Sequence, residues 1–546
     1  MLPIEHLLIA PIVLPLVTGA LLLLYDERRH TLKAVIDVVS TVALLLISLV
    51  LLWAADAVGG PDAHVSTYLL GNWAAPFGIV LVLDRLSALM LTMTSILAVA
   101  SLTFSLARWH RAGPHFHTLF QLLLMGLNGA FLTGDLFNLF VFFEVLLAAS
   151  YGLLLHGSGV TRVRAGLHYV AINLAASFLF LIGVSLIYGV TGTLNMADLA
   201  VRMASIPADD HALLDAGIVI LGVAFLVKAG MWPLCFWLPG AYAAAAAPVA
   251  AIFAVLSKVG VYAVLRLSPL LFGVNAGRSV GLDDAWLFAG GMVTIAFGTI
   301  GVLASQAMGR LVAFSVLVSS GTMLAAAGIS SSAVTAGALY YMVSSTLTIG
   351  ALFLLVELVE RTQNPAANVL AVTMEAYGED DEEAEEREVG TSIPGTLAIL
   401  GACFLLCGLL LSGLPPLSGF VGKFAVASAA LSVGGGGPLS TEGWSFMAML
   451  LVSGLFAMVA MVRAGIRMFW SPVEIVVPRV MVVEFLPVVF LLVVCAAMTV
   501  QAGPLMRYAE ATAGALHQPD AYIRGVLEKR PVPPPAGSAP EAEASP

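Results

Sequence analysis

Four ionisable side chains sit inside apolar runs, where charge is costly. Glu144 lies in FNLFVFFEVLLAASYGLL, Lys228 in LGVAFLVKAGMWPLCFWLPG, Lys258 in VAAIFAVLSKVGVYAVLR and Lys423 in LLLSGLPPLSGFVGKFAV. In hydrocarbon each opposes insertion by roughly 2.5 to 3.5 kcal/mol, and together by about 10 kcal/mol or more. Structural ion pairing of Glu144 with one lysine accounts poorly for three lysines. Burial disfavours the charged form of either residue type, while an opposite charge nearby favours it. A carboxylate and amines held in that balance can exchange protons through water and hydroxyls. Ser257 beside Lys258, and Ser412 and Ser418 near Lys423, are candidate hydroxyls, although most such serines bond the backbone.

The elements that position these residues follow from composition. Of 546 residues, 60% are hydrophobic and 11% charged, and the mean hydropathy is +0.98. A soluble domain needs a larger charged shell, so the chain reads as all-α and polytopic, with the bilayer as a partner. The net charge of −10 argues against a nucleic-acid partner. Cys235, Cys403, Cys407 and Cys495 all fall in apolar runs, so they read as packing residues, with no metal site or disulfide framework. The N-terminal MLPIEHLLIAPIVLPLVTGALLLLY lacks a basic region and reads as a retained first helix.

Apolar stretches fall at about 2–24, 32–53, 78–106, 117–133, 135–155, 163–189, 214–238, 248–267, 286–304, 309–328, 333–358, 396–427, 445–468 and 480–501. They predict about fourteen spans, with a transmembrane domain over 1–502 and a polar, disordered tail over 503–546. Alternate loops hold Arg28, Arg29 and Lys33, Arg108 and Arg111, Arg162 and Arg164, Arg310, Arg361 and Arg387, and Arg463, Arg467 and Arg479. The positive-inside rule puts those loops in the cytoplasm and both termini outside; Arg202 and Arg278 run against it. EAYGEDDEEAEERE, from Glu375 to Glu388, reads as a solvated cytoplasmic loop over about 359–392.

Two spans are broken. Gly230, Pro233, Pro239 and Gly240 interrupt the seventh, and Gly413, Pro415, Pro416 and Gly419 the twelfth. The twelfth run of about 32 residues would make a helix of roughly 48 Å, against about 30 Å of hydrocarbon. Broken helices free backbone groups to line an ion site. Lys228 and Lys423 each lie beside a break, five spans apart. An odd-numbered repeat inverts in the membrane, so spans 4–8 and 9–13 are the expected inverted five-helix repeats.

The segments GIVLVLDRLSALM, GDLFNLFVFFEVLLAASYGLL, KAGMWPLCFWLPGAYAAAAAP, SKVGVYAVLR and SGLPPLSGFVGKF occur in that order. With them the chain resembles the D-type subunit of the Mrp/Pha-type multisubunit monovalent cation/proton antiporters, over roughly residues 75 to 470. It is also similar to the antiporter-like membrane subunits of respiratory complex I. The resemblance implies a hetero-oligomeric complex in the cell inner membrane, and a proton path through Glu144, Lys228, Lys258 and Lys423. Relatives often carry a histidine or lysine on helix eleven, where this chain has Ser344, Ser345 and Thr348. Some have histidine where Cys235 stands. The chain lacks the long lateral helix of the largest complex I subunit of this type, which favours the D-type over the A-type antiporter subunit.

The expected function is a non-enzymatic, proton-conducting subunit exchanging protons for Na+ or another monovalent cation. It has no nicotinamide, flavin or iron–sulfur motif, and no cofactor is expected. The alternatives are a proton-pumping subunit of a complex I-like or membrane-bound hydrogenase complex, and a structural scaffold. No paired carboxylates lie within an apolar span, so no sodium site is assigned. Among the remaining ionisable residues, Asp84 and Arg85 are expected to form an interfacial anchor or ion pair, and Glu357 to pair with Arg361. His110, His115 and His117 have poor metal spacing, and His168 is a possible extension of the proton path.

Overall fold

The computed structural model describes residues 4–57, 65–207, 209–273, 281, 283–360, 395–433, 440–469 and 480–532. The acidic stretch 375–388 lies outside these. Almost everything described is helix. The principal helices are α1 (Ala10–Leu23), α2 (His30–Ala57), α3 (Arg85–Ser105), α4 (Phe116–Leu132), α5 (Leu136–Leu155), α6 (Val160–Thr191) and α7 (His211–Ala229). They continue with α8 (Ala247–Phe272), α9 (Asp284–Ala304), α10 (Met308–Ala327), α11 (Ser332–Glu360), α12 (Gly395–Ser412), α13 (Ser418–Ser432), α14 (Thr441–Phe469) and α15 (Val482–Val500). Two more, α16 (Ala502–His517) and α17 (Asp520–Leu527), end the described chain. Among the described residues, twelve helices are long and apolar enough to cross a membrane, and α1 and α4 are apolar but shorter.

The bundle has an inside and an outside, both apolar. α8 is buried along its apolar length and α11 almost so, as expected of central helices that are hydrophobic all round. The peripheral helices instead present Trp53, Leu167, Phe178 and Leu451 outward, which suits a lipid surface. Local chemistry sets the ends. Asp84 caps α3, its carboxylate accepting from the Ser87 amide at 2.9 Å while the Ser87 hydroxyl accepts from the Asp84 amide at 2.9 Å. Asp135 caps α5 through the Asn138 amide. One end of the bundle also carries an antiparallel pair, β1 (Ser66–Leu69) and β2 (Val80–Leu83).

The first part of the expected tail is helical, while its residues 533–546 lie outside the described residues. Residues 502–527 form α16 and α17, with α16 packed on α11. Ala509, Thr512, Ala513 and Leu516 bury one stripe of α16, and Tyr522 and Val526 bury one face of α17. These spaced small and apolar residues make a docking face that average polarity hides. The Tyr508 hydroxyl also donates to the Arg85 carbonyl at 2.8 Å. Asp84 and Arg85 do not pair with each other: Asp84 binds Arg266 through two bonds of 2.5 and 2.7 Å, and Arg85 pairs with Asp56 at 3.5 Å. Glu357 accepts from Arg108 and Trp109; Arg361, its expected partner, lies outside the described residues.

Candidate functional site

Both expected breaks are present. α7 ends one residue after Lys228, where Gly230 turns left-handed with φ +75°. A short helix, Trp237–Ala244, follows, and its Trp237 indole donates to the Val227 carbonyl at 3.3 Å. α12 ends at Ser412, and Gly413 takes φ +76° before α13 begins. A Cβ on Gly413 would lie 2.5 Å from Lys423 Cδ. Glycine there serves the turn and leaves room for the lysine stem. Lys423 Nζ donates to the carbonyls of Leu411 and Ser412, at 3.0 Å each. An ammonium group so placed satisfies the orphan carbonyls at the negative end of α12.

At the other break, Lys228 is buried. Its Nζ lies 3.5 Å from the Asn173 carbonyl of α6 and 5.8 Å from the centre of the Phe143 ring. Glu144, on α5, forms no ion pair among the described residues, although Lys228 is within reach of its charge. Ser177 stands between them. Its hydroxyl contacts Glu144 Oε1 and, at 3.1 Å, the Asn173 carbonyl that also faces Lys228. One hydroxyl hydrogen can serve only one of these acceptors at a time, so Ser177 can face either way.

Lys258 is fully buried on α8, and its Nζ donates to Ser319 Oγ at 2.8 Å and Ser320 Oγ at 3.2 Å on α10. Ser319 Oγ is in turn 2.8 Å from Ser345 Oγ on α11. Ser319, Ser345, Tyr341, Ser453 and Lys423 then share one cavity with about 20 Å³ of space for water centres, room for about one molecule. The stretch of α11 without a titratable side chain thus lies beside a hydroxyl line and a water-sized cavity between Lys258 and Lys423. No hydrogen bond joins Lys228 to Lys258 among the described residues. Their helices nevertheless pack backbone to backbone, since a Cβ on Gly260 would lie 2.5 Å from the Ala229 nitrogen.

The hydroxyls proposed from sequence divide. Ser257 and Ser412 bond backbone carbonyls of their own helices, and Ser412 meets Lys423 through its carbonyl. Ser418 pairs with Ser344 at 2.8 Å. His168 is exposed, and its ring faces its own helix at the Arg164 carbonyl. Sequence reasoning missed Asn173, Ser177, Ser319 and Ser320. The dipeptide Ser319–Ser320 inside the apolar α10 was a usable signal.

Comparison with known proteins places the chain in one family. Residues 133–447 match the family described as NADH:quinone oxidoreductase/Mrp antiporter, TM, and the chain belongs to that family. It is 60% identical over 527 residues to a protein of Rhizobium meliloti named as the D-type subunit of a probable K(+)/H(+) antiporter, covering 96% of this chain and 98% of that one. It is 34% identical over 535 residues to the D-type subunit of the Na(+)/H(+) antiporter of Alkalihalophilus pseudofirmus, covering 96% and 100%. Among solved structures, a chain of the Mrp complex from Dietzia sp. superposes with a TM-score of 0.79 at 25% identity, covering 96% and 100%. A chain of respiratory complex I from Thermus thermophilus gives 0.72 at 23% identity, covering 94% and 99%, which is a likeness of fold. Family and helices together make this a multi-pass membrane protein.

Proposed function

We propose that this chain is the proton-conducting subunit of a multisubunit monovalent cation/proton antiporter, with protons passing through Glu144, Lys228, Lys258 and Lys423 at mid-membrane. The observation that carries the reading is the connection from Lys258 through Ser319 and Ser345 into the cavity that Lys423 lines. The Ser177 hydroxyl turns between Glu144 and the Asn173 carbonyl, and so alters how strongly Glu144 and Lys228 are coupled. A proton released by Lys228 crosses to Lys258 over water, moves along the serine hydroxyls, and reaches Lys423 at the end of α12. The chain works without enzymatic chemistry or a cofactor, in complex with other subunits.

Fourteen crossings, of which spans 4–8 and 9–13 form two inverted five-helix repeats, a cell inner membrane location and both termini outside complete the proposal, on the distribution of arginines among loops. K+ is the first cation to try, because the relative named for K+ shares 60% identity; Na+ is the second. The test is Glu144→Ala or Lys228→Ala in the complete complex, with cation-driven proton flux measured in vesicles. Loss of flux with normal assembly supports the proton path. Unchanged flux with normal assembly rejects it in favour of a scaffold.

A further inference from the structure

A second buried titratable group lies away from the four-residue path. Asp37, on α2, is fully buried, and its Oδ2 is 2.6 Å from His117 Nδ1 on α4. His117 Nε2 is 3.2 Å from Nδ1 of His110, in the short turn Trp109–Arg111. Arg111 Nε then donates to His110 Nε2 at 3.2 Å. A guanidinium can only donate, and this fixes the direction of the whole line. His110 Nε2 accepts, so His110 Nδ1 carries the hydrogen and donates to His117 Nε2, and His117 Nδ1 carries the hydrogen and donates to Asp37. Each link holds one proton and points inward. Gln121 Nε2 donates to the other carboxylate oxygen, Oδ1, at 2.5 Å.

We propose that Asp37 is a proton-binding site loaded from the aqueous end of α4 through His110 and His117, with Arg111 as the group that opens it. When the exposed Arg111 side chain turns away, a proton binds His110 Nε2. The His110 Nδ1 proton passes to His117 Nε2, and the His117 Nδ1 proton passes to Asp37 Oδ2. The product is a neutral Asp37 acid and two neutral histidines in the opposite tautomer, so one proton has been gained and no bond is left unbalanced. Burial, with the Arg111 guanidinium alongside, pushes His110 down to about 4, so at neutral pH it relays rather than stores the proton.

The other charged groups around the line are accounted for. From α2, His30 faces the His110 ring at 6.2 Å, and Lys33 is paired with Glu27 at 2.6 Å. Glu27 also holds His115 at 2.9 Å. From the end of α5, His156 Nε2 donates to the Trp109 carbonyl, 2.8 Å away, and from α6 Arg162 covers the Trp109 ring. From α11, Glu357 accepts from Arg108 at 2.7 Å and from the Trp109 indole at 2.9 Å, and α1 contributes only the uncharged Thr18, bonded to Ser40 at 3.0 Å. Asp37 is therefore the acidic group at which the inward-pointing line terminates.

The test is infrared difference spectroscopy on the purified complete complex in lipid vesicles, stepped from about pH 8 to about pH 5. The expected result is a protonated-carboxyl band that rises on acidification and is absent in Asp37→Asn. His110→Asn and His117→Asn should slow its rise at least about tenfold, the scale of losing a positioned proton-transfer group. His110→Asn, in the short turn Trp109–Arg111 rather than in a long helix, keeps the test usable if Asp37→Asn does not assemble. A band that persists in Asp37→Asn, or that rises as fast in His110→Asn as in the wild type, overturns the proposal. The Lys228→Ala complex should keep the band whatever becomes of its flux, so the two proposals fail separately.

Discussion

Replacing Ser319 with alanine removes the nearer of the two hydroxyls that hold Lys258, at 2.8 Å, and leaves Ser320 at 3.2 Å. It also cuts the contact to Ser345. A hydrogen bond to a charged group is worth about 1.5 to 3 kcal/mol, and each 1.36 kcal/mol is about tenfold in rate. Proton flux through the complete complex in vesicles, followed with a trapped pH-sensitive dye, should therefore fall about 10- to 100-fold in Ser319→Ala. Ser345→Ala should fall similarly. Because the two hydroxyls are successive links of one line, the double variant should be little worse than either single one, giving a coupling energy of about 1 kcal/mol or more. Flux in Ser319→Ala within about twofold of wild type, or losses that simply multiply, would refute the reasoning.

Ser177→Ala takes away the hydroxyl between Glu144 and Asn173, and flux should drop about tenfold with assembly unchanged; wild-type flux would reduce Ser177 to a packing residue. Gly260→Ala puts a Cβ 2.5 Å from the Ala229 nitrogen and 2.7 Å from the Phe225 carbonyl. It should cost about 1 to 3 kcal/mol, seen as a lower thermal midpoint of the purified complex. Asp84→Ala strands the buried Arg266 guanidinium, and a cost of about 3 to 5 kcal/mol is expected. Asp84→Leu combined with Arg266→Met should recover most of it, measured by denaturant unfolding of the complex.

The charges of the proposed path were legible because an ionisable residue in an apolar run is costly, and a costly residue stands out. The breaks at Gly230 and Gly413 were legible for a related reason, since glycine and proline interrupt helices locally. Partners distant in sequence were not. Ser319 is 61 residues from Lys258, and a serine in an apolar helix carries no local mark separating it from the many that bond their own backbone, as Ser257 does. Asp37 was obscured differently: it lies near the polar start of α2, beside His30 and Lys33, where charge looks interfacial. The polar look of residues 503 onward hid the sparse buried stripe of α16 and α17. Among the described residues no direct hydrogen bond joins Lys228 to Lys258, and Ser345 meets Lys423 only across their shared cavity.

Glu144, Lys228, Lys258 and Lys423 are proposed to belong to one proton path. The most direct measurement is K+- or Na+-driven proton flux in vesicles containing the complete complex, with each of Glu144, Lys228, Lys258 and Lys423 replaced by alanine and assembly verified. Each variant is predicted to lose at least about tenfold of the wild-type flux. A fully assembled Lys258→Ala complex that conducts protons at the wild-type rate would contradict the account.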